Sequence, residues 1–222
     1  MEERKHIVIL AAGDFPSHEV PLKALREADF VVCCDSAYEA IKNEELGMRN
    51  YVVVGDGDSL SEQDKQRLGD RWIHVPEQDY NDLHKAMCWA TKEFSIFNFH
   101  FSILGATGKR EDHTLGNISY HATFAQEYPG IDLEMLTDYG RFTIQNPESK
   151  IQNYKSFPRQ QVSLFTLDPR TCVTATGLQW PLDGATLSPW WQGTLNAALA
   201  YTFSLSADGP LIVFQTYDPK PL

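Results

Sequence analysis

Residues 51–59 read Tyr-Val-Val-Val-Gly-Asp-Gly-Asp-Ser, a short apolar run that ends in a turn carrying two carboxylates. A continuous apolar run is typical of a strand that is buried on both faces of a parallel sheet. Gly55 and Gly57 flank Asp56 and let backbone and ligand approach each other closely. Because ligands of open parallel sheets bind beyond the carboxyl ends of the strands, this segment predicts a ligand-binding turn.

The same pattern recurs through the first 138 residues, where short apolar runs alternate with amphipathic stretches of helical length. The runs lie at residues 7–12, 30–34, 51–54, 72–75, 99–104 and 133–136, and the helical stretches at residues 21–28, 37–45, 61–68, 82–94 and 113–127. Strands that alternate with helices predict a right-handed, helix-covered parallel sheet, that is, a three-layer α/β domain.

The character of the sequence changes after Asp138, where helical periodicity ends and Thr, Ser, Pro and Gly become frequent. Residues 162–167 and 171–176 are rich in β-forming residues. Further on, an alternating stretch and a turn at residues 208–209 lead into another apolar run; the alternating residues are Leu199, Tyr201, Phe203 and Leu205. This pattern predicts an antiparallel β-sandwich. The predicted domains are residues 1–145 and residues 146–222.

Composition narrows the class of protein. The 222 residues are 42% hydrophobic, and 19 Lys and Arg against 30 Asp and Glu give a net charge of −11. This composition is typical of a globular protein. A nucleic-acid partner is disfavoured, because proteins that bind nucleic acids present a basic surface and this chain is acidic. No apolar run approaches the ~20 residues that a membrane span needs. The cysteines are Cys33, Cys34, Cys88 and Cys172, without zinc-type spacing, so we expect reduced thiols in a cytoplasmic protein.

Acidic residues follow three successive predicted strands. Asp35 ends one run, Asp56 and Asp58 follow the next, and Asp79 and Asp82 come after the third. Any single one of them is explained as a helix cap or a solvated turn. Together, at one edge of a sheet, they repel each other unless a cation neutralises them, and oxygen ligands are what Mg²⁺ prefers. The set therefore favours a magnesium site.

A glycine-containing loop follows the fifth run, in Leu104-Gly-Ala-Thr-Gly-Lys-Arg-Glu-Asp-His113. Such a loop before a helix is a generic anion cradle, although it matches neither standard phosphate-binding pattern. Lys109, Arg110 and His113 add positive charge. Lys85, three residues after Asp82, either reaches the same site or forms an intrahelical ion pair with Asp82. Beside the carboxylates, the loop indicates a phosphate that is bridged by metal.

These motifs, taken in order, resemble those of the thiamine pyrophosphokinase family. The residues that carry the resemblance are Asp35, Gly55-Asp-Gly-Asp-Ser59, Asp79-Tyr-Asn-Asp-Leu-His-Lys-Ala86, Gly105 to His113 and Asn117. The stretches Gly177-Leu-Gln-Trp-Pro-Leu182 and Gly193-Thr-Leu-Asn196 also resemble the thiamine-binding domain of that family. Three positions depart from the family pattern: Asn81 replaces a Thr, Lys109 a Gly and Leu195 a Ser.

The resemblance implies transfer of pyrophosphate from ATP to the hydroxyethyl group of thiamine, with release of AMP. It makes residues 1–145 the catalytic, ATP-binding domain and residues 146–222 the thiamine-binding domain. Asp56, Asp58 and Asp82 are the expected Mg²⁺ ligands. Asp35 and Asp79 complete the acidic site, and one of them is a candidate to accept the hydroxyl proton.

The expected contacts to the phosphates come from basic residues and from the loop. Arg110 stabilises phosphate charge, and Asp112 holds Arg110 in place. The remaining nucleotide-binding residues are expected to be Lys85, Gly105, Thr107, Gly108, Lys109, Asp112 and His113. On the thiamine side we expect Gln78, Asn196 and Trp180, whose ring suits a cationic aromatic ligand unless it is simply packed in the core. The resemblance also implies a homodimer with a shared active site.

Two other functions remain open at the level of sequence. A phosphotransferase of the same fold that acts on another heteroaromatic alcohol would account for Leu195, which removes a hydroxyl from the expected thiamine pocket. A non-catalytic nucleotide or thiamine sensor would account for Lys109 in the loop.

Overall fold

The computed structural model describes residues 4–42, 50–147 and 151–220. The chain divides into two compact units. One comprises Met1–Phe124 and Gly130–Asp138, and the other comprises Ala125–Pro129 and Tyr139–Leu222. The predicted combination of an α/β fold with a β-sandwich is confirmed.

The first unit contains a parallel sheet of six strands in the order β6-β5-β1-β2-β3-β4. The strands are β1 (Lys5–Leu10), β2 (Phe30–Cys34), β3 (Tyr51–Gly55), β4 (Trp72–His74), β5 (Phe99–Leu104) and β6 (Asp132–Leu136). Each lies on a predicted apolar run, and Val8, Val32 and Val53 are fully buried. Since the strands are parallel, the turns after β2, β3 and β5 meet at one edge.

Within the described residues, five helices connect these strands: α1 (Glu19–Arg26), α2 (Tyr38–Lys42), α3 (Glu62–Leu68), α4 (Asp82–Glu93) and α5 (Glu111–Glu127). The predicted helix at residues 37–45 begins instead with a 3₁₀ turn, Asp35–Ala37, and residues 43–45 lie outside the described residues. Asn81 caps α4, where its side chain accepts a hydrogen bond from the backbone N–H of His84 at 2.9 Å. An Asn at the position of the family's Thr therefore keeps the cap.

The second unit contains two antiparallel sheets. One has the order β12-β9-β14-β7 and the other β11-β10-β13-β8. The strands are β7 (Gly140–Gln145), β8 (Gln152–Lys155), β9 (Gln160–Thr166), β10 (Cys172–Thr176), β11 (Leu182–Thr186), β12 (Asn196–Ala197), β13 (Thr202–Ala207) and β14 (Leu211–Pro219). Buried residues of both sheets share one core, which includes Val162, Val173, Phe203 and Val213.

The predicted alternation at residues 199–205 is only partly a strand. Phe203 and Leu205 point into the core, but β13 begins at Thr202, so Leu199 and Tyr201 precede it and are 62% and 73% exposed. An alternating pattern does not show where sheet pairing begins. Among the described helices, none is long and apolar enough to cross a membrane.

Candidate active site

Three carboxylates gather at the carboxyl edge of the parallel sheet. Asp35 follows β2, and Asp56 and Asp58 follow β3; one oxygen from each lies within 4.8 Å of the others. Asp35 is buried, and its Oδ2 accepts a hydrogen bond of 2.7 Å from the backbone N–H of Gly57. Asp35 thus fixes the turn that carries the other two carboxylates.

The second oxygen of Asp35 suits a cation. Oδ1 is buried and has no hydrogen-bond partner among the described residues. Burial, together with the neighbouring Asp82 carboxylate, raises the pKa of Asp35 to about 6. A buried carboxylate oxygen without a donor is costly unless a proton or a metal ion binds it. Three clustered carboxylates of this kind match the hard oxygen ligands that Mg²⁺ takes in proteins.

Helix α4 brings a buried lysine to this group. Nζ of Lys85 lies 2.8 Å from Oδ2 of Asp56 and 3.7 Å from Oδ1 of Asp82. The intrahelical ion pair that the sequence left open therefore exists, but Asp56, which follows β3, is the nearer partner. Hydrogen bonding from Lys85 lowers the pKa of Asp56 to about 2. Asp82 also accepts a hydrogen bond of 2.8 Å from Oγ of Ser36, a residue that the sequence did not single out.

A cavity of about 430 Å³ opens in front of these side chains. Of the predicted site residues, it is lined by Asp56, Gln78, Asp82, Lys85, Gly108, Lys109, Arg110 and His113. Gln78 donates a hydrogen bond of 2.8 Å to Asp56. Asp79 is exposed and neither lines the cavity nor joins the three-carboxylate group. Its backbone N–H donates a hydrogen bond to the side-chain carboxylate of Glu77.

The glycine loop between β5 and α5 borders the cavity. Gly105 and Gly108 have φ values of 62° and 82°, in the left-handed region that favours glycine. A Cβ atom on Gly105 would stand 2.6 Å from the carbonyl oxygen of Ala11, so a side chain does not fit there. Thr107 lies between the two glycines and contributes the carbonyl that accepts a hydrogen bond from Asp14 N–H at 2.9 Å.

Lys109 stands in the same loop with a φ of 57°, which explains why glycine suits this position. Its ammonium group donates a hydrogen bond of 2.8 Å to the carbonyl oxygen of Ala12, just beyond β1. Lys109 therefore ties the loop to the neighbouring strand end and places a positive charge at the wall of the cavity. Asn117 of α5 supports the loop from behind, since its Nδ2 donates to the Ala106 carbonyl at 2.8 Å.

Arg110 and Asp112 form the pair that the sequence suggested. Two guanidinium nitrogens donate to the two carboxylate oxygens at 3.1 and 2.6 Å, and both side chains are exposed. Hydrogen bonding from Arg110 lowers the pKa of Asp112 to about 2. Asp112 does not line the cavity, whereas Arg110 does, so Asp112 holds Arg110 rather than facing the cavity itself.

The second unit, called the β unit below as the first is called the α/β unit, presents Trp180 on its surface. The side chain is 63% exposed, so the alternative that Trp180 packs in the sandwich core is wrong. Asn196 is buried and braces this tryptophan: its Oδ1 accepts from Trp180 N–H at 3.0 Å and its Nδ2 donates to the Trp180 carbonyl at 2.7 Å. Leu195, with a φ of 66°, is 69% exposed beside Asn196.

Comparison with known protein families agrees with this arrangement. The family model described as "Thiamin pyrophosphokinase, catalytic domain" matches residues 22–133, and the one described as "Thiamin pyrophosphokinase, substrate-binding domain" matches residues 140–214. The chain belongs to the thiamine pyrophosphokinase family. The family that the sequence motifs predicted is thereby confirmed.

Individual relatives within the thiamine pyrophosphokinase family are distant. Thiamine pyrophosphokinase 1 of Oryza sativa subsp. japonica is 28% identical over 174 residues, which are 72% of this chain and 64% of the relative. Thiamin pyrophosphokinase 1 of Caenorhabditis elegans is 29% identical over 97 residues, which are 42% of this chain and 40% of the relative. The chain thus matches less than two thirds of the length of these two proteins.

Solved structures of the family share the fold. Thiamin pyrophosphokinase from Geobacillus thermodenitrificans superposes with a TM-score of 0.75 and 22% identity, covering 98% of this chain and 100% of that chain. Thiamin pyrophosphokinase from Candida albicans superposes with a TM-score of 0.77 and 16% identity, covering 96% of this chain and 90% of that chain.

Proposed function

We propose that the protein transfers a pyrophosphoryl group from ATP to the hydroxyl group of thiamine, giving thiamine diphosphate and AMP. The observation that carries this proposal is the cavity in which Asp56, Asp82, Lys85 and the glycine loop meet, in a chain that matches the family over both of its units. Carboxylates for a metal, fixed cations and an anion-binding loop are the parts that phosphoryl transfer requires.

Mg²⁺ is the cofactor that this set of donors fits. Asp56, Asp58 and Asp82 are the proposed ligands, and the grouping of Asp35 with Asp56 and Asp58 supports its expected place in the acidic site. When bound, Mg²⁺ neutralises charge on the phosphate oxygens and makes the phosphorus more electrophilic.

Basic groups of the chain hold the phosphates. Lys85 is fixed by Asp56, so its charge is positioned before the nucleotide arrives. Lys109 and Arg110 line the cavity from the glycine loop, and a loop of this kind before a helix is a generic anion cradle. Because these donors are fixed in advance, little reorganisation is needed as charge shifts from the β-phosphorus to the leaving AMP.

The hydroxyl proton of the acceptor needs a base. Burial and the neighbouring Asp82 raise the pKa of Asp35 to about 6, whereas hydrogen bonding from Lys85 lowers that of Asp56 to about 2, so without bound metal Asp35 is the better proton acceptor of the two. Asp79 is exposed and outside the carboxylate group. This supports Asp35 rather than Asp79 as the group that takes the proton.

Thiamine recognition is assigned to Gln78, Trp180 and Asn196. The exposed ring of Trp180 supports stacking on the cationic thiazolium, and Asn196 acts by bracing the Trp180 backbone. The proposed working unit is a cytoplasmic homodimer in which two subunits contribute to each active site.

An AMP-release assay with Mg-ATP tests the proposal. AMP should appear only when thiamine is present, together with thiamine diphosphate identified by mass spectrometry. AMP release that another heteroaromatic alcohol supports and thiamine does not would favour the related phosphotransferase. Tight binding of ATP or thiamine without any product would favour the sensor.

A further inference from the structure

An aromatic pair stands at the wall of the cavity beside the acidic residues. The ring of Tyr80 stacks on the imidazole of His84, with ring centroids 4.0 Å apart and planes inclined by 15°. Tyr80 lines the cavity and is 49% exposed. Thus one face of the phenol ring rests on the imidazole, and about half of the residue stays accessible.

Two further aromatic rings contact the imidazole. Its centroid lies 5.4 Å from the ring of Tyr120 and 5.3 Å from that of Phe124, both on α5, and Phe124 is buried. The Tyr80 backbone precedes Asn81, whose side chain caps α4 and donates a hydrogen bond of 3.1 Å to Asn117. A supported ring of this kind is a rigid surface, since a side chain already held in place loses little freedom when a ligand binds.

Binding of phosphates and a metal ion requires charged side chains, and it does not explain why an aromatic ring lines this cavity. The same cavity is lined by Asp82, Lys85, Lys109 and Arg110, which suit ions. Both proposed substrates, however, carry flat heteroaromatic rings, the adenine base of ATP and the rings of thiamine. Aromatic side chains bind such rings by stacking without needing a particular hydrogen-bond pattern.

We propose that Tyr80, supported by His84, is a stacking surface for the heteroaromatic ring of one substrate. Tyr80 contacts the ring directly, and His84 is a positioning residue. This inference rests on the proposed function, because it takes its ligands from ATP and thiamine. It adds a specificity-determining residue at a position of the Asp79-Tyr-Asn-Asp82 motif to which the sequence assigned no role.

The test is binding of four ligands by calorimetry to the full-length protein and its variants. The ligands are thiamine, AMP, a non-hydrolysable ATP analogue and inorganic tripolyphosphate, which has the phosphates but no ring. Tyr80→Ala should weaken binding of either thiamine or both nucleotides by about tenfold, the usual effect of losing one stacked base. Tripolyphosphate should bind equally well to both proteins.

Matched variants separate stacking from a structural effect. Tyr80→Phe keeps the ring and should bind as the parent does, and His84→Ala should weaken the same ligand as Tyr80→Ala but to a smaller extent. Phe97→Ala removes an aromatic side chain that is 65% exposed and does not line the cavity, so it should change nothing. Circular dichroism confirms that each variant is folded.

The outcomes are distinct. A loss of affinity for thiamine alone would mean that Tyr80 stacks on thiamine, the acceptor. A loss of affinity for the nucleotides alone would mean that it stacks on the adenine ring of the donor. Either result supports the proposal. Unchanged binding of all four ligands, or an equal loss for tripolyphosphate, would overturn the role of Tyr80 while leaving the proposed function intact. If the parent protein binds neither ATP analogue nor thiamine, both proposals are wrong.

Discussion

The Nζ atom of Lys85 donates a hydrogen bond of 2.8 Å to Oδ2 of Asp56, and the two side chains are only 3% and 13% exposed. Removing one partner of such a pair leaves an uncompensated charge, at a cost on the order of 3 kcal/mol. Asp56 therefore has a structural role besides any metal ligation. A substitution at Asp56 changes stability and chemistry together, so Asp58 is the better position for testing the metal.

Asp58→Asn should lower the rate at limiting Mg²⁺ by about tenfold or more, because an amide is a poorer ligand than a carboxylate. Excess Mg²⁺ should restore part of the rate. Asp58 is exposed, so the melting temperature should stay unchanged. The control is Asp70→Asn, an exposed carboxylate outside the three-carboxylate group. An unaltered dependence of rate on Mg²⁺ in Asp58→Asn would remove Asp58 from the metal site.

Arg110→Ala should lower kcat by about 10²-fold, the typical effect of losing one electrostatic donor to the transition state. The chain offers a matched control in Arg170, which forms the same type of exposed pair with the aspartate two residues away, Asp168. Arg170→Ala removes an equivalent ion pair at a residue that does not line the cavity. Steady-state kinetics and melting curves of both variants should show a rate loss only in Arg110→Ala. Equal kinetics for the two variants would mean that Arg110 does not stabilise charge in the transition state.

The acidic edge of the sheet was predictable because parallel strands bring their carboxyl ends together whatever the details of packing. Asp35, Asp56 and Asp58 follow from that rule alone. The burial of Lys85 and the stacking of Tyr80 on His84 depend instead on how α4 packs against its neighbours, which local periodicity does not encode. The exposure of Leu199 and Tyr201 was missed for a related reason, since alternation is the same before a strand as within it.

We expect His100 to make a pH-dependent contribution to the free energy of unfolding. Its ring nitrogens lie 3.2 Å from Asp132 and 3.1 Å from Glu134. Burial alone would lower the pKa of His100, but these carboxylates raise it to about 9. Because the folded pKa exceeds the unfolded value, the stabilisation is fully present below the unfolded pKa of about 6.5 and is lost as the pH rises through 9.

His100→Gln should therefore lower the free energy of unfolding on the order of 1–3 kcal/mol at pH 6, with a difference that shrinks steadily towards pH 9.5. Urea denaturation at four pH values measures it. His6, whose ring nitrogen lies 2.8 Å from Oγ of Ser102 in the same cluster, has a pKa lowered by burial and provides the comparison in His6→Gln. A difference between parent and His100→Gln that stays constant with pH would contradict the charged state of His100.

Trp180→Ala should weaken thiamine binding by about tenfold, since stacking and cation–π attraction together contribute on the order of 1–3 kcal/mol. ATP affinity should remain unchanged. Trp191→Ala is the matched control, because this tryptophan is 70% exposed on the same unit. Titration calorimetry with thiamine separates the two variants. Identical thiamine affinity in Trp180→Ala and the parent would exclude Trp180 as the platform.

The final prediction concerns whether one active site draws on two subunits. Asp58→Asn alters the proposed metal site and Trp180→Ala alters the proposed thiamine platform, so each variant alone should be poorly active. If each site combines the metal group of one subunit with the tryptophan of its partner, a mixed dimer has one site with both defects and one with none. Random exchange of equal amounts makes half of the dimers mixed, so activity should recover to about one quarter of the parent value.

Two measurements make that recovery decisive. Differently tagged subunits, purified in tandem, isolate the mixed dimer and show that exchange has occurred. Mixing Asp58→Asn with Arg110→Ala is the control, because both changes lie in the α/β unit and each site of that mixed dimer keeps one defect. This control should stay inactive. Absence of recovery in the purified Asp58→Asn and Trp180→Ala dimer would mean that each chain builds its own complete site, since every site would then carry one of the two substitutions.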